Sequence, residues 1–105
     1  MLPATLALVD DEATFSECLA AYLAGRGVAV PWFADSDDLL CSAQPFGFDF
    51  YVVDLMLPGI DGLSLIRLLR RRSDAGMLVV SGKLADDVFD QIMLAGADMH
   101  LAKPV

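Results

Sequence analysis

The sequence predicts an α/β fold, in which parallel strands form one central sheet and helices cover both of its faces. Five short apolar runs alternate with helix-like stretches along the 105 residues, and the connections between them are short. No internal repeat or low-complexity segment interrupts this alternation, so we expect one domain over residues 1–105. The expected strand order is 2-1-3-4-5, which puts the first strand between the second and the third.

Each strand is predicted from an apolar run that glycine, proline or acidic residues bound. The predicted strands are Leu6–Val9, Val28–Phe33, Asp49–Leu55, Met77–Val80 and Met99–Ala102. Pro31 indicates that the second strand lies at an edge of the sheet, because proline cannot donate to a strand ladder. The third strand is apolar at consecutive positions, which indicates burial on both faces.

The helices are predicted from apolar residues at the helical period and from residues that favour helix ends. They run from Phe15 to Gly25 or Gly27, from a cap at Asp35 or Ser36 to Pro45, over Leu65–Arg72, and from about Ala85 to Gly96. We interpret one stripe on the first helix as core packing, formed by Phe15, Cys18, Leu19, Tyr22 and Leu23. Cys18 and Cys41 lack the CxxC spacing of a metal site, so we expect two buried, reduced thiols and a cytoplasmic location.

The composition argues against several classes of partner. The formal net charge is −8, and direct nucleic-acid binding by this domain would need a basic surface. No apolar run approaches the roughly 18 residues that span a bilayer. The N-terminus also lacks the basic and cleavage features of a secretory signal. We therefore expect neither a nucleic acid nor a membrane as a direct partner.

Polar residues follow four of the predicted strands. Asp10 and Asp11 come after the first strand, in the stretch LALVDDE, and Asp54 ends the third. Ser81 ends the fourth strand and Lys103 follows the fifth. Because ligands bind beyond the carboxyl ends of parallel strands, these side chains should converge at one edge of the sheet.

Three carboxylates at such an edge repel one another unless a cation neutralises them. A hard divalent cation with oxygen ligands would do so, and Mg²⁺, or Mn²⁺ in its place, is the natural candidate. One carboxylate could then act as a nucleophile toward phosphorus. Lys103 and the Ser81 hydroxyl would help the metal to stabilise the charge on the transferring phosphoryl group.

With these residues in this order, the chain resembles a known family, the receiver domains of two-component response regulators. The matching motifs are VDDE, VVDLMLPGIDG, VVSGK and GADMHLAKP, in this order along nearly the whole chain. The run DLMLPGIDGL is most similar to the branch whose output is a winged-helix transcription factor. The resemblance implies a flavodoxin-like, doubly wound sheet and a role in signal transduction.

The resemblance also implies a role for each acid. Asp54 would accept a phosphoryl group from a phosphohistidine on a sensor histidine kinase. Asp11 would bind Mg²⁺ directly, together with Asp54 and the backbone carbonyl of Met56. Asp10 would hold a water molecule that is bound to the metal. The domain would be a phosphoacceptor that assists its own phosphorylation and dephosphorylation, not a true enzyme.

The remaining site residues include departures from the family pattern. The resemblance gives Lys103 a contact to Asp54 and then to the phosphoryl oxygens, and gives Ser81 a hydrogen bond to the new group. His100 stands where the family usually has Tyr or Phe; it is either a solvated histidine or an altered switch that weakens as the ring protonates. Met56 cannot position an attacking water and Lys83 could shield the phosphoryl group, so we expect slow loss of phosphate.

Alternatives remain open at this stage. The chain could be a pseudo-receiver that works without phosphate as an interaction or dimerisation module. An aspartyl phosphatase would need a second acid where Met56 stands, and a flavin protein would need a Ser/Thr/Gly-rich loop in place of DDEATF. No fifth helix is predicted before Val105, which indicates a chain cut before that helix or one that dimerises. In either case the last strands should lack part of their cover, and an output domain or partner protein would lie beyond this domain.

Overall fold

The computed structural model describes residues 4–10, 13–54, 62–81 and 86–102. The strands are β1 (Leu6–Val9), β2 (Trp32–Phe33), β3 (Phe50–Asp54), β4 (Gly76–Ser81) and β5 (Met99–Ala102). The helices in the described ranges are α1 (Ala13–Ala24), α2 (Ser36–Leu40), α3 (Gly62–Arg72) and α4 (Asp86–Ala95). The strands form one parallel sheet in the order β2-β1-β3-β4-β5, which confirms the predicted topology.

One face of the sheet, which we call the three-helix face, is closed by α2, α3 and α4. Its core is a cluster of strand and helix residues of which nearly all are fully buried: Ala7, Val9, Leu39, Tyr51, Val53, Leu65, Ile66, Leu69, Met77, Val79, Ile92 and Ala97. The aromatic rings of Phe33, Phe48 and Tyr51 extend this core in two edge-to-face contacts, with centroids 6.0 and 5.9 Å apart. This face therefore holds most of the packing that favours folding.

The opposite face, the one-helix face, is covered in its described part by α1 alone. Leu19 and Leu23 of α1 pack on a smaller cluster, formed by Leu6, Leu8, Val28, Val52 and Val80. At the far edge of this face, Met99 is 57% and Leu101 is 40% exposed. The exposure of these two residues confirms the expectation for the fifth strand. The expectation was wrong for its neighbour β4, because Val80 on the same face is only 1% exposed.

Three residues that we expected in the core are exposed instead. Tyr22 is 59% exposed, and Cys18 and Cys41 are exposed free thiols. Leu19 and Leu23 of the stripe are partly buried against the cluster. Cys18 and Tyr22 stay exposed because no described helix packs beside α1 on this face. Cys41 is the C-cap residue of α2, where the chain has already turned toward solvent.

The edge strand β2 is shorter than the predicted Val28–Phe33. Ala29 makes only an isolated bridge to Thr5, and regular pairing begins at Trp32. Pro31 separates the two because it has no N–H, although its carbonyl accepts a hydrogen bond from Leu8 N at 3.1 Å. The strand order confirms that β2 lies at an edge, and the missing N–H of Pro31 explains why the strand is short.

The start of α2 settles which residue caps it. Asp35 is the N-cap, and its Oδ1 accepts a hydrogen bond from the backbone N–H of Asp38 at 2.8 Å. Ser36, the other candidate, is the first residue of the helix and is buried. The helix ends at Leu40, several residues before Pro45, so the predicted end was too late.

A clasp joins the amino ends of β1 and β3. The carboxylate of Asp49 accepts hydrogen bonds from Thr5 N at 3.1 Å and from Thr5 Oγ1 at 3.2 Å. Asp49 N donates in return to Thr5 Oγ1 at 3.1 Å. These bonds lie directly before the ladder that aligns Leu6 with Phe50, so they support its register.

Arg70 ties the end of α3 to the start of β5. Its guanidinium donates twice to the Gly96 carbonyl, at 3.0 and 2.8 Å, and once to Ala75 O at 3.1 Å. Its Nη2 also lies 3.1 Å from Asp98 Oδ2, an oxygen that accepts the backbone N–H of Met77 at 2.9 Å. Gly96 has φ of +124°, and a Cβ there would lie 2.7 Å from the Arg70 stem, so glycine allows this approach.

Candidate functional site at the carboxyl edge of the sheet

Asp10 directly follows β1 and its main chain is held on both sides. Its N–H donates to the Phe33 carbonyl at 3.0 Å, and its own carbonyl accepts the indole N–H of Trp32 at 2.6 Å. The residue is fully buried, with 0% exposure. An apolar strand of four buried residues thus carries a carboxylate to the edge of the sheet and keeps it from bulk water.

Asp54 is the last residue of β3 and is only 5% exposed. The β1–β3 ladder aligns Val9 with Val53, so the next residue along each strand is an aspartate. Neighbouring strands lie about 4.8 Å apart. The register therefore brings two buried carboxyl groups side by side at the carboxyl edge of the sheet.

Such a pair is costly without compensation. Two unit charges about 5 Å apart repel by roughly 3 kcal/mol at an effective dielectric near 20. The atoms of the two side chains that could coordinate a metal ion are all carboxylate oxygens, the ligands that hard divalent cations prefer. The residues present therefore fit a Mg²⁺ or Mn²⁺ ion, and such an ion would offset the repulsion.

β4 and β5 bring a hydroxyl residue to the same edge. Asp54 aligns with Val80, so Ser81 stands one residue further along β4, beside Ala102 of β5. Lys103 is the residue after Ala102 in the sequence. The backbone thus places Asp10, Asp54 and Ser81 at one edge, as the sequence predicted.

Four residues of the predicted site lie outside the described ranges: Asp11, Met56, Lys83 and Lys103. A search of the described residues finds no group of three or more His, Cys, Asp or Glu side chains that could hold a metal ion. Asp11 would be the third acid of the predicted set, so the ligand set stays a prediction. In the same ranges, no helix is long and apolar enough to cross a membrane.

His100 lies in the middle of β5, aligned with Val79 of β4. Val79 belongs to the core of the three-helix face, so His100 lies on that side of the sheet while Met99 and Leu101 lie on the other. Its ring is half-buried, and Nε2 has no contact with solvent. The structure therefore differs from a fully solvated histidine at a strand edge.

Sequence reasoning missed the contact between Trp32 and Asp10. Trp32 is the chain's single tryptophan, and it stands 22 residues from the carbonyl that it contacts. No local sequence pattern predicts a hydrogen bond between residues that far apart. The available signal was indirect, since an edge strand beside β1 carries a large side chain with an N–H donor at the level where β1 ends.

Comparison with known families agrees with this architecture. The family described as the response regulator receiver domain matches residues 6–105, which is nearly the whole chain. A crystal structure of a response regulator from Burkholderia pseudomallei, with a phosphorylated aspartic acid, a calcium ion and citrate, is 36% identical in sequence. It superimposes with a TM-score of 0.85 over 96% of this chain and 60% of that one.

Two curated relatives are similar over one part of their length. The transcriptional activator protein PfeR of Pseudomonas aeruginosa is 35% identical over 94% of this chain, which corresponds to 32% of PfeR. The DNA-binding response regulator MtrA of Mycobacterium tuberculosis is 32% identical over 92% of this chain and 42% of MtrA. The chain thus spans less than half the length of these relatives.

Proposed function

We propose that this chain, which belongs to the family of response regulator receiver domains, accepts a phosphoryl group on the carboxylate of Asp54. Signalling as a receiver is the function of the family; the acceptor residue is our assignment. The observation that carries it is the pair of buried acids, Asp10 and Asp54, at the ends of adjacent parallel strands. Of these two, Asp54 ends the central strand of the sheet, between β1 and β4.

The carboxylates of Asp10 and Asp54 would hold a divalent cation together with Asp11 and the backbone carbonyl of Met56. Asp10 would act through a water molecule. Mg²⁺, or Mn²⁺ in its place, would neutralise charge on the transferring phosphoryl group when bound. The structure of the relative from Burkholderia pseudomallei holds both a calcium ion and a phosphorylated aspartic acid, which supports a role for a divalent cation.

The phosphoryl donor is a phosphohistidine of a sensor histidine kinase. A carboxylate oxygen of Asp54 attacks phosphorus, a P–O bond forms, the P–N bond breaks, and the leaving imidazole takes up a proton. Lys103 and the Ser81 hydroxyl would contact the phosphoryl oxygens, and the position of Ser81 one residue beyond Val80 supports this. Burial of Asp54 favours the transfer because few water molecules compete with the carboxylate.

Two features would set the response after transfer. His100 would act as the switch residue on β5, a role that its half-buried ring supports. Met56 cannot orient an attacking water and Lys83 would shield the phosphoryl group, so the domain would lose phosphate slowly, over minutes to hours. The same site residues would assist both the domain's own phosphorylation and this slow dephosphorylation.

The signal would pass to an output domain or partner protein that controls transcription. The relatives PfeR and MtrA, a transcriptional activator and a DNA-binding response regulator, support this output. The exposed Met99 and Leu101 support a homodimer as one form of the domain. The free thiols of Cys18 and Cys41 are exposed, which fits the reducing cytoplasm.

Intact-mass spectrometry after incubation with acetyl phosphate and Mg²⁺ tests the proposal. The wild type should gain one phosphoryl mass, and both Asp54→Asn and a chelator should abolish the gain. The Asp74→Asn variant is a matched control, because it alters an exposed aspartate that lies just before β4, at the opposite edge of the sheet from Asp54. No gain in the folded wild type would instead favour the pseudo-receiver.

A further inference from the structure

The side chain of Trp32 contacts the main chain of Asp10. Its indole Nε1–H donates to the main-chain carbonyl of Asp10 at 2.6 Å, shorter than the usual 2.9–3.0 Å for an N–H···O bond. Trp32 nevertheless stays 41% exposed. Burial of apolar surface therefore accounts for only part of what holds this side chain in place.

The hydrogen bond from Trp32 takes the place of the next backbone hydrogen bond in the ladder between β1 and β2. Successive donors of the β1 chain, Leu6, Leu8 and Asp10, bond to the carbonyls of Ala29, Pro31 and Phe33. In a parallel ladder the Asp10 carbonyl would next accept the backbone N–H of Asp35. Asp35, however, has turned away to become the N-cap of α2. The Trp32 indole supplies the donor at that point.

The replacement of a backbone donor by the Trp32 indole has a consequence for the buried acids. The Asp10 carbonyl belongs to a planar peptide group, so fixing its direction fixes the plane of the peptide that follows. With the N–H bonded to Phe33 and the carbonyl bonded to Trp32, the main chain of Asp10 is held at both ends. A buried carboxylate on such a backbone is preorganised for a ligand.

We propose that Trp32 is a positioning residue for the divalent-cation site, acting through the main chain of Asp10. This inference rests on the proposed function, because it needs a cation to bind at the acids. It predicts that loss of the indole donor weakens cation binding even when the domain stays folded. A purely structural role would lower stability without changing that affinity.

Thermal unfolding at a series of Mg²⁺ concentrations separates the two effects. The Tm without metal reports stability, and its rise with Mg²⁺ reports the Kd through mass action. Trp32→Phe keeps an aromatic ring but removes the donor, and its Kd should rise about 3- to 10-fold. Tyr22→Phe, an exposed aromatic on α1, is the matched control and should keep the wild-type Kd.

Each outcome of this experiment supports or overturns the positioning role of Trp32. A folded Trp32→Phe variant with the wild-type Kd overturns the positioning role and leaves the proposed function intact. A wild type that Mg²⁺ does not stabilise overturns both. Should the variant fail to fold, the wild type still tests the idea: the emission of its single tryptophan should change with Mg²⁺ along the same curve as the Tm. Unchanged emission while the Tm rises overturns the proposal.

Discussion

The two faces of the sheet differ in how completely they are closed. On the three-helix face, α2, α3 and α4 surround a core whose members are almost all fully buried. On the one-helix face, α1 covers a smaller cluster, and the described part of β5 leaves two large apolar side chains open to solvent. The comparison shows that this fold can concentrate its stability on one face and keep surface for contacts on the other.

The largest expected difference between the two faces is the loss of stability on replacing one leucine with alanine on each face. Leu69 on α3 is fully buried, so Leu69→Ala should lower the free energy of unfolding by about 2–5 kcal/mol. Leu101 on β5 is 40% exposed, so Leu101→Ala should cost less than about 1.5 kcal/mol. Urea unfolding followed by far-UV circular dichroism measures both. Equal losses would mean that the two faces contribute alike.

The guanidinium of Arg70 should be the next largest contribution. Arg70→Met keeps an unbranched apolar stem but leaves the carbonyls of Gly96 and Ala75 without these donors. We expect a loss of about 2–3 kcal/mol in the same unfolding experiment, because bonds from a charged donor are strong. Its neighbour Arg71 is exposed, so Arg71→Met should stay within about 0.5 kcal/mol of the wild type. Similar losses in both variants would contradict the role of Arg70.

A smaller effect, which depends on pH, is expected from Tyr51 in the three-helix core. Its hydroxyl donates to the Pro45 carbonyl at 2.7 Å, so Tyr51→Phe should cost about 1 kcal/mol near neutral pH. Burial raises the pKa of the Tyr51 phenol above the usual 10.0, and hydrogen bonds with Phe48 and Ser73 oppose that rise only in part. The fold therefore favours the neutral phenol. Its contribution is complete below pH 10 and is lost as the pH rises through the folded-state pKa.

Urea midpoints at about pH 8 and about pH 10.5 check this sign. The difference in stability between the wild type and Tyr51→Phe should shrink at the higher pH. Tyr22→Phe on the opposite face is the control, since it keeps the exposed ring over which Arg26 lies at 4.5 Å. A difference that grows with pH would contradict the assignment.

The smallest change in stability is expected at the open edge of the one-helix face. Met99 is 57% exposed, so Met99→Gln should alter the free energy of unfolding by less than about 0.5 kcal/mol. The same substitution should reduce self-association, because it breaks an exposed apolar patch. Sedimentation velocity over a range of concentrations measures this. A wild type that stays monomeric throughout would show that the patch is inert.

Much of this fold could be predicted because short apolar runs end abruptly at charged or small residues. The bounds of β1 and β5 agree with the predicted ones, and Pro31 correctly indicated an edge strand. The acids at the ends of β1 and β3 were found for the same reason, since a buried strand that runs into carboxylates is conspicuous in the sequence. Topology then determines that Asp10 and Asp54 meet.

What could not be predicted depends on neighbours that are distant in sequence. Helical periodicity gives the direction of an apolar stripe but not the width of the surface that covers it, so Tyr22 and Cys18 were wrongly assigned to the core. The contact of Trp32 with Asp10 joins a side chain to a main-chain atom across two strands. Such a bond leaves no periodic trace in the sequence.

The clasp between Thr5 and Asp49 fixes how far along β1 and β3 each acid lies. It sets the origin from which residues are counted along two adjacent strands, and both counts end at an aspartate: Asp10 on β1 and Asp54 on β3, each five residues from the clasp. One residue inserted into either strand would offset the acids by about 3.3 Å and turn the displaced side chain to the other side of the sheet. The spacing of the acids is thus encoded at the opposite end of the sheet, as a number of residues.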